Sequence, residues 1–169
     1  DEDPDSLEKR LAYFNALGAF TQYNDAIKVI QEQIKPVKEL QKIPLEADPE
    51  VFQLEQNQVN LRSALLQLFE NRQNWMRALA VTNQLLEIFE EAPYYLLFNK
   101  AEFLAELGRF DEANTIIDEL DEKVNDKERI KLARAGILCE QEKEADALEI
   151  YESFDKGSRF YRQILHKKA

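Results

Sequence analysis

The chain holds one histidine, His166, and one cysteine, Cys139, so nucleophilic or metal chemistry has few residues to draw on. A Ser/His/Asp or Cys/His system would need His166 beside Ser6, Ser63, Ser153, Ser158 or Cys139, because the imidazole must reach the nucleophile's proton. His166 instead lies in a basic C-terminal stretch, and the spacing pairs it with none of them. Di-iron bundles need two Glu-x-x-His pairs, and the sequence has none. It also lacks the HExxH, P-loop, Gly-rich dinucleotide and calcium-loop patterns. Carboxylates cluster at Glu87/Glu90/Glu91 and at Asp118/Glu119/Asp121/Glu122. Adjacent helical carboxylates point different ways, so both clusters read as solvated faces rather than metal sites. Cys139 falls within a helical run and reads as a small core or groove hydrophobe rather than a reactive thiol. No catalytic, cofactor-binding or metal-ligating residue is assigned; the expectation is a non-enzymatic protein without a cofactor.

The elements that carry these residues are helical. Only 4 Gly and 5 Pro occur in 169 residues, and apolar residues recur at spacings of three and four, so the fold class is all-α. The hydrophobic share of 44% supplies a core, and the charged share of 33% implies a large solvated surface. The net charge of −11 is uneven: all 33 acids precede Lys156, and the stretch to Ala169 carries Lys156, Arg159, Arg162, Lys167 and Lys168. An acidic body repels a phosphate backbone, so nucleic acid is not an expected partner. The basic stretch reads as a helix with cations near its C-terminus. No apolar run approaches the roughly 18 residues that span a bilayer, so direct membrane insertion is not expected. The chain begins at Asp1, which leaves open a processed parent with an upstream signal or anchor. The expectation is a soluble protein, with the cytoplasm slightly favoured over a secreted or periplasmic setting.

The pattern divides 1–169 as one helical domain. A first hairpin, 6–35, has a Ser6 cap and Leu7, Leu11, Phe14, Leu17 and Gly18 on one face, then Tyr23–Ala26 opening a second arm with Ile27, Ile30 and Ile34. Pro36, Pro44 and Pro49 make 36–48 a connection that breaks the rhythm. Residues 49–92 form a hairpin with a long first helix, Asp48 fitting its cap and Pro49 its first turn. Hairpins at 93–125 and 126–155 follow, and 157–168 reads as a terminal capping helix, with Phe160 and Ile164 covering the open end of the core.

One motif repeats. Gly108-Arg109-Phe110-Asp111-Glu112-Ala113 has weaker copies at Trp75-Met76-Arg77-Ala78 and at Glu144-Ala145-Asp146-Ala147. Ala78, Ala113 and Ala147 are about 35 and 34 residues apart, the period of stacked helical hairpins. At these residues the chain resembles the tetratricopeptide repeat family, most clearly over 59–155. The best copy has Leu97, Ala101, Leu104, Gly108, Phe110, Ala113 and Ile117 in the family's places. The next has Lys131, Ala135, Leu138, Ala147 and Tyr151, with Glu142 in place of the turn glycine. The previous one has Phe69, Trp75 and Ala78, with Gln73 at the glycine position and Leu66 where a small residue is usual. The first hairpin matches only at Tyr23, Ala26 and Ile30. Alanine at such places lets helices approach, and larger residues fill the gaps between hairpins. The resemblance implies a right-handed α-solenoid of antiparallel hairpins, with about eight or nine helices.

The resemblance also implies a concave groove lined by Asn60, Ser63, Gln67 and Glu70, then Tyr95, Phe98, Asn99, Glu102 and Ala105, then Arg129, Leu132, Gly136 and Cys139. Tyr95 and Phe98 are either its aromatic anchors or packing against the preceding hairpin. Family members that clamp a terminal carboxylate use a Lys-x-x-x-Asn pair. Ser63/Gln67 and Phe98/Glu102 depart from it, which puts that ligand in doubt. Glu70, Glu102 and Glu106 favour basic residues in the groove. The expected function is an adaptor or scaffold that binds a peptide segment or subunit of another protein. The alternatives are a small acidic chaperone for secreted or assembling clients, and a self-associating structural subunit, a homo-oligomer in which the acidic body meets a neighbour's basic tail.

Overall fold

The structure, a computed structural model, describes residues 23–44, 49–161 and 164. The Ser6 cap and its helix, the Asp48 cap and most of the 157–168 helix lie outside the described residues. Within them the regular structure is helical: α1 (Tyr23–Gln31), a short 3-10 turn (Val37–Glu39), α2 (Pro49–Glu70), α3 (Trp75–Ile88), α4 (Tyr94–Glu106), α5 (Phe110–Lys123), α6 (Lys127–Glu140) and α7 (Glu144–Glu152). The chain is all-α. It divides into two compact units, Asp1–Leu96 and Leu97–Ala169.

In the first unit α2 packs on both α1 and α3. Ala26, Ile27 and Ile30 recur at three and four and are the buried face of α1. From α2 and α3 the core takes Leu65, Leu68, Phe69, Ala78, Val81 and Leu85. The described part of the proline-containing connection holds the 3-10 turn, and side chains of α2 stitch down the backbone that leads into it. The Lys35 amide donates to Gln58 Oε1 (2.9 Å), Gln58 Nε2 donates to the Gln33 carbonyl (3.1 Å), and Arg62 donates to the Lys35 carbonyl (2.6 Å). Further on, Ile43 forms an isolated parallel bridge with Phe89, its amide donating to the Ile88 carbonyl at 2.8 Å. Arg62 is 1% exposed, and its other partners are the Gln58 carbonyl and side chain. Burial pulls its guanidinium below its ordinary pKa, and the charge of Glu55 partly offsets this.

In the second unit α6 packs on both α5 and α7. Ala135, Ala147, Tyr151, Phe154 and Ile164 form a core cluster, with Leu132, Leu138, Cys139, Ile150 and Phe160 packed against it. Ion pairs lace the surface of α5 and α6: Arg134 meets Asp118 (2.8 Å) and Asp121 (3.1 Å), and Lys127 meets Asp121 (2.5 Å). Beyond α7, Arg159 pairs with Asp126, and Ser158 Oγ donates to Glu128 at 3.1 Å. These contacts tie the segment after Gly157 to the start of α6. Ser158 Oγ also accepts the Phe160 amide at 3.2 Å, and a helical turn begins at Tyr161.

Three helix–helix turns share one geometry. Gln73, Gly108 and Glu142 all have left-handed backbones, with φ of 53°, 73° and 59°. In each, the amide of that residue donates three residues back (Glu70, Ala105, Cys139). The next amide donates five back (Phe69, Leu104, Leu138), all at 2.8–3.0 Å. This is the Schellman arrangement, which closes a helix and satisfies its last carbonyls. Asn74, Arg109 and Lys143 follow as N-caps with nearly the same dihedrals, φ −88° to −101° and ψ 56° to 68°. Their carbonyls accept the amides of Ala78, Ala113 and Ala147, which are 0%, 0% and 1% exposed. One turn on, Thr82, Ile117 and Tyr151 are buried, and then Leu85, Leu120 and Phe154. The period therefore marks recurring local structure, as well as recurring residue types.

Candidate functional site

The second unit contains a cavity of about 280 Å³ between α4, α6 and Phe160. Small residues make room for it: Ala101 and Ala105 on α4, Ala133 and Gly136 on α6. A Cβ built on Gly136 meets no atom within 4 Å, so this glycine leaves open space rather than permitting a close approach. Phe98, Leu132, Ile137 and Phe160 give the cavity apolar walls. Asn99, Glu102, Glu106, Arg129 and Glu140 supply its polar groups.

Arg129 is placed by local folding. Asp126 caps α6, its carboxylate accepting the Arg129 amide at 3.2 Å. That puts Arg129 in the first helical turn, where its guanidinium carbon lies 4.5 Å from the centroid of the Phe98 ring. Such stacking keeps the cation's N–H edge available while its face is covered. Phe98 is itself buried, at 7% exposure. It lines the cavity and carries Arg129 of the following hairpin on its face.

The charges are spread along the helices. Glu102 and Glu106 lie toward the C-terminal end of α4, and Glu140 ends α6. Neither helix has a basic residue in its last turn. At 1.5 Å rise per residue, Glu140 lies about 16 Å along α6 from Arg129. One end of the cavity is thus aromatic and cationic, and the other is anionic.

Phe98, Asn99, Glu102, Ala105, Arg129, Leu132 and Gly136, all expected in a groove, come together here. Cys139 does not. It is half-buried beside α7, its Sγ 3.7 Å from the Tyr151 hydroxyl. Burial and that contact push the Tyr151 phenol well above its ordinary pKa. Tyr95, 49% exposed in the first turn of α4, is not among the cavity's walls. Ser63 and Gln67 are exposed on α2, Glu70 is half-buried, and Asn60 accepts from Gln56 Nε2 at 2.7 Å. Phe160 was expected to cover the core's end; it packs on the core cluster and also closes the cavity. Its part in the cavity depends on tertiary contacts of the Arg159–Asp126 kind, which no local pattern signals.

Among the described residues no group of three or more His, Cys, Asp and Glu side chains is arranged to hold a metal ion, and no helix is long and apolar enough to cross a membrane. In comparison with known proteins, no family model, curated protein or solved structure matches the chain.

Proposed function

We propose that the chain is a non-enzymatic interaction module, a tetratricopeptide-like α-solenoid that receives a segment of another protein in the cavity between α4 and α6. The observation that carries this reading is the cavity's makeup: Phe98, Leu132 and Phe160 around a floor of Ala101, Ala105 and Gly136, with polar groups at the rim. Its volume of about 280 Å³ stands at the small end of the roughly 300–1,000 Å³ usual for ligand sites, room for one or two inserted side chains. Aromatic walls in a concave surface are where interface energy concentrates.

Gly136 makes the test clean. Gly136→Leu should fill the cavity while leaving its walls intact, and should raise helix stability by about 1 kcal/mol. Partners captured by the native chain, confirmed with their own peptides by calorimetry, should be lost by this variant. A partner bound equally by both chains, with the variant's fold intact by circular dichroism, rejects the cavity as the binding site.

A further inference from the structure

Building on that binding role, we infer that the cavity's occupant is a cationic–apolar peptide segment, its apolar side chain seated between Phe98, Leu132 and Phe160 and its Lys or Arg against Glu102 and Glu140. Three observations converge on it. Glu102, Glu106 and Glu140 face one cavity from two helices. Both helices end there without a basic residue in the last turn, so the negative ends of two helix dipoles add to the carboxylates. Among the described residues the lining has one cation, Arg129, and it is held at the far end over Phe98. A peptide acid at the carboxylate end would meet like charge from both helices, whereas a Lys or Arg would find complementary charge.

The spacing fits side chains of one short segment. Phe98 to Glu102 spans about 6 Å along α4, and Leu132 to Glu140 about 12 Å along α6. An apolar residue and a basic residue four positions apart in a helix are separated by about 6 Å, and the basic side chain supplies the remaining reach. Specificity follows from exclusion as much as attraction: the acidic end rejects the acidic peptides that Arg129 alone would admit.

Four fluorescein-labelled peptides of Ala, Ser and Gln test it: Phe or Ala at one site, combined with Lys or Glu four positions later. Fluorescence anisotropy should show the Phe/Lys peptide binding about tenfold more tightly than Phe/Glu or Ala/Lys. Its affinity should fall severalfold as salt rises from about 50 to about 300 mM. Glu102→Gln with Glu140→Gln should weaken Phe/Lys about fivefold to tenfold and narrow its lead over Phe/Glu. Equal binding of Phe/Lys and Phe/Glu, blocked in both by Gly136→Leu, would overturn the cationic preference and leave the binding role standing. Failure of all four to bind the folded native chain would remove the cavity's role as a peptide site, and this inference with it.

Discussion

Arg129 stacks on Phe98, its guanidinium carbon 4.5 Å from the ring centroid, so the cation of the cavity is held by one of its walls. The pair joins the first turn of α6 to α4. Replacing Phe98 by Ala removes both a buried aromatic and the surface that orients Arg129. The coupling in a double-mutant cycle of Phe98→Ala and Arg129→Met should be about 0.5–1 kcal/mol in urea unfolding. Additive effects would show that the stacking contributes nothing.

The three left-handed turns make a reciprocal prediction. Gly108 accepts φ of 73° without strain, whereas Gln73 and Glu142 hold side chains in the same region. Nothing lies within 4 Å of a Cβ at Gly108, so the penalty there is conformational. Gly108→Ala should cost about 1 kcal/mol, and Gln73→Gly and Glu142→Gly should each stabilise by about 0.5–1 kcal/mol. Urea midpoints of the single variants check the opposite signs.

Arg62 is a buried cation whose described hydrogen bonds go to uncharged acceptors, the Lys35 and Gln58 carbonyls and the Gln58 amide oxygen. Arg62→Ala leaves the Lys35 carbonyl without its Arg62 donor and opens a void, at a cost of about 2–4 kcal/mol. Arg62→Met, which keeps volume and removes the desolvated charge, should cost less. Gln58→Met should speed hydrogen exchange at the Lys35 amide, which donates to the Gln58 side chain.

Hydrogen bonds from Lys127 and Arg134 hold the Asp121 carboxyl below its ordinary pKa. A carboxyl depressed in the folded state stabilises above its unfolded value near 3.9, and that contribution fades as pH falls through the lowered folded value. Asp121→Asn should therefore be less stable than the native chain at neutral pH, and the gap should close from about pH 4 downward. Urea midpoints along a pH series would show the convergence; a gap of constant size would contradict it.

The helical hairpins were legible because their determinants are local. Ala78, Ala113 and Ala147 sit where small residues recur, and each is buried just after the same turn. Gln73 and Glu142 looked like departures by residue type, yet both adopt the backbone of Gly108, because closing hydrogen bonds impose it whatever the side chain. The 36–48 connection showed only as broken rhythm. Its entry is fixed by Lys35 bonding to Gln58 and Arg62, 23 and 27 residues on, and its later part by Ile43 bridging to Phe89, and no periodicity encodes such pairings. The cavity was half visible: helix positions could be mapped, but Cys139's turn toward Tyr151 and Phe160's approach are tertiary outcomes.

Because neutral carbonyls inside the protein grip Arg62, dissolved electrolyte has little to displace there. The Asp121–Lys127–Arg134 array stands in solvent, where mobile ions weaken it over a distance of about 10 Å at 0.1 M and less as concentration rises. Brine should loosen the junction of α5 with α6 while the tie between residues 35 and 62 stays closed. Halotolerance would then belong to one half of the chain and not the other.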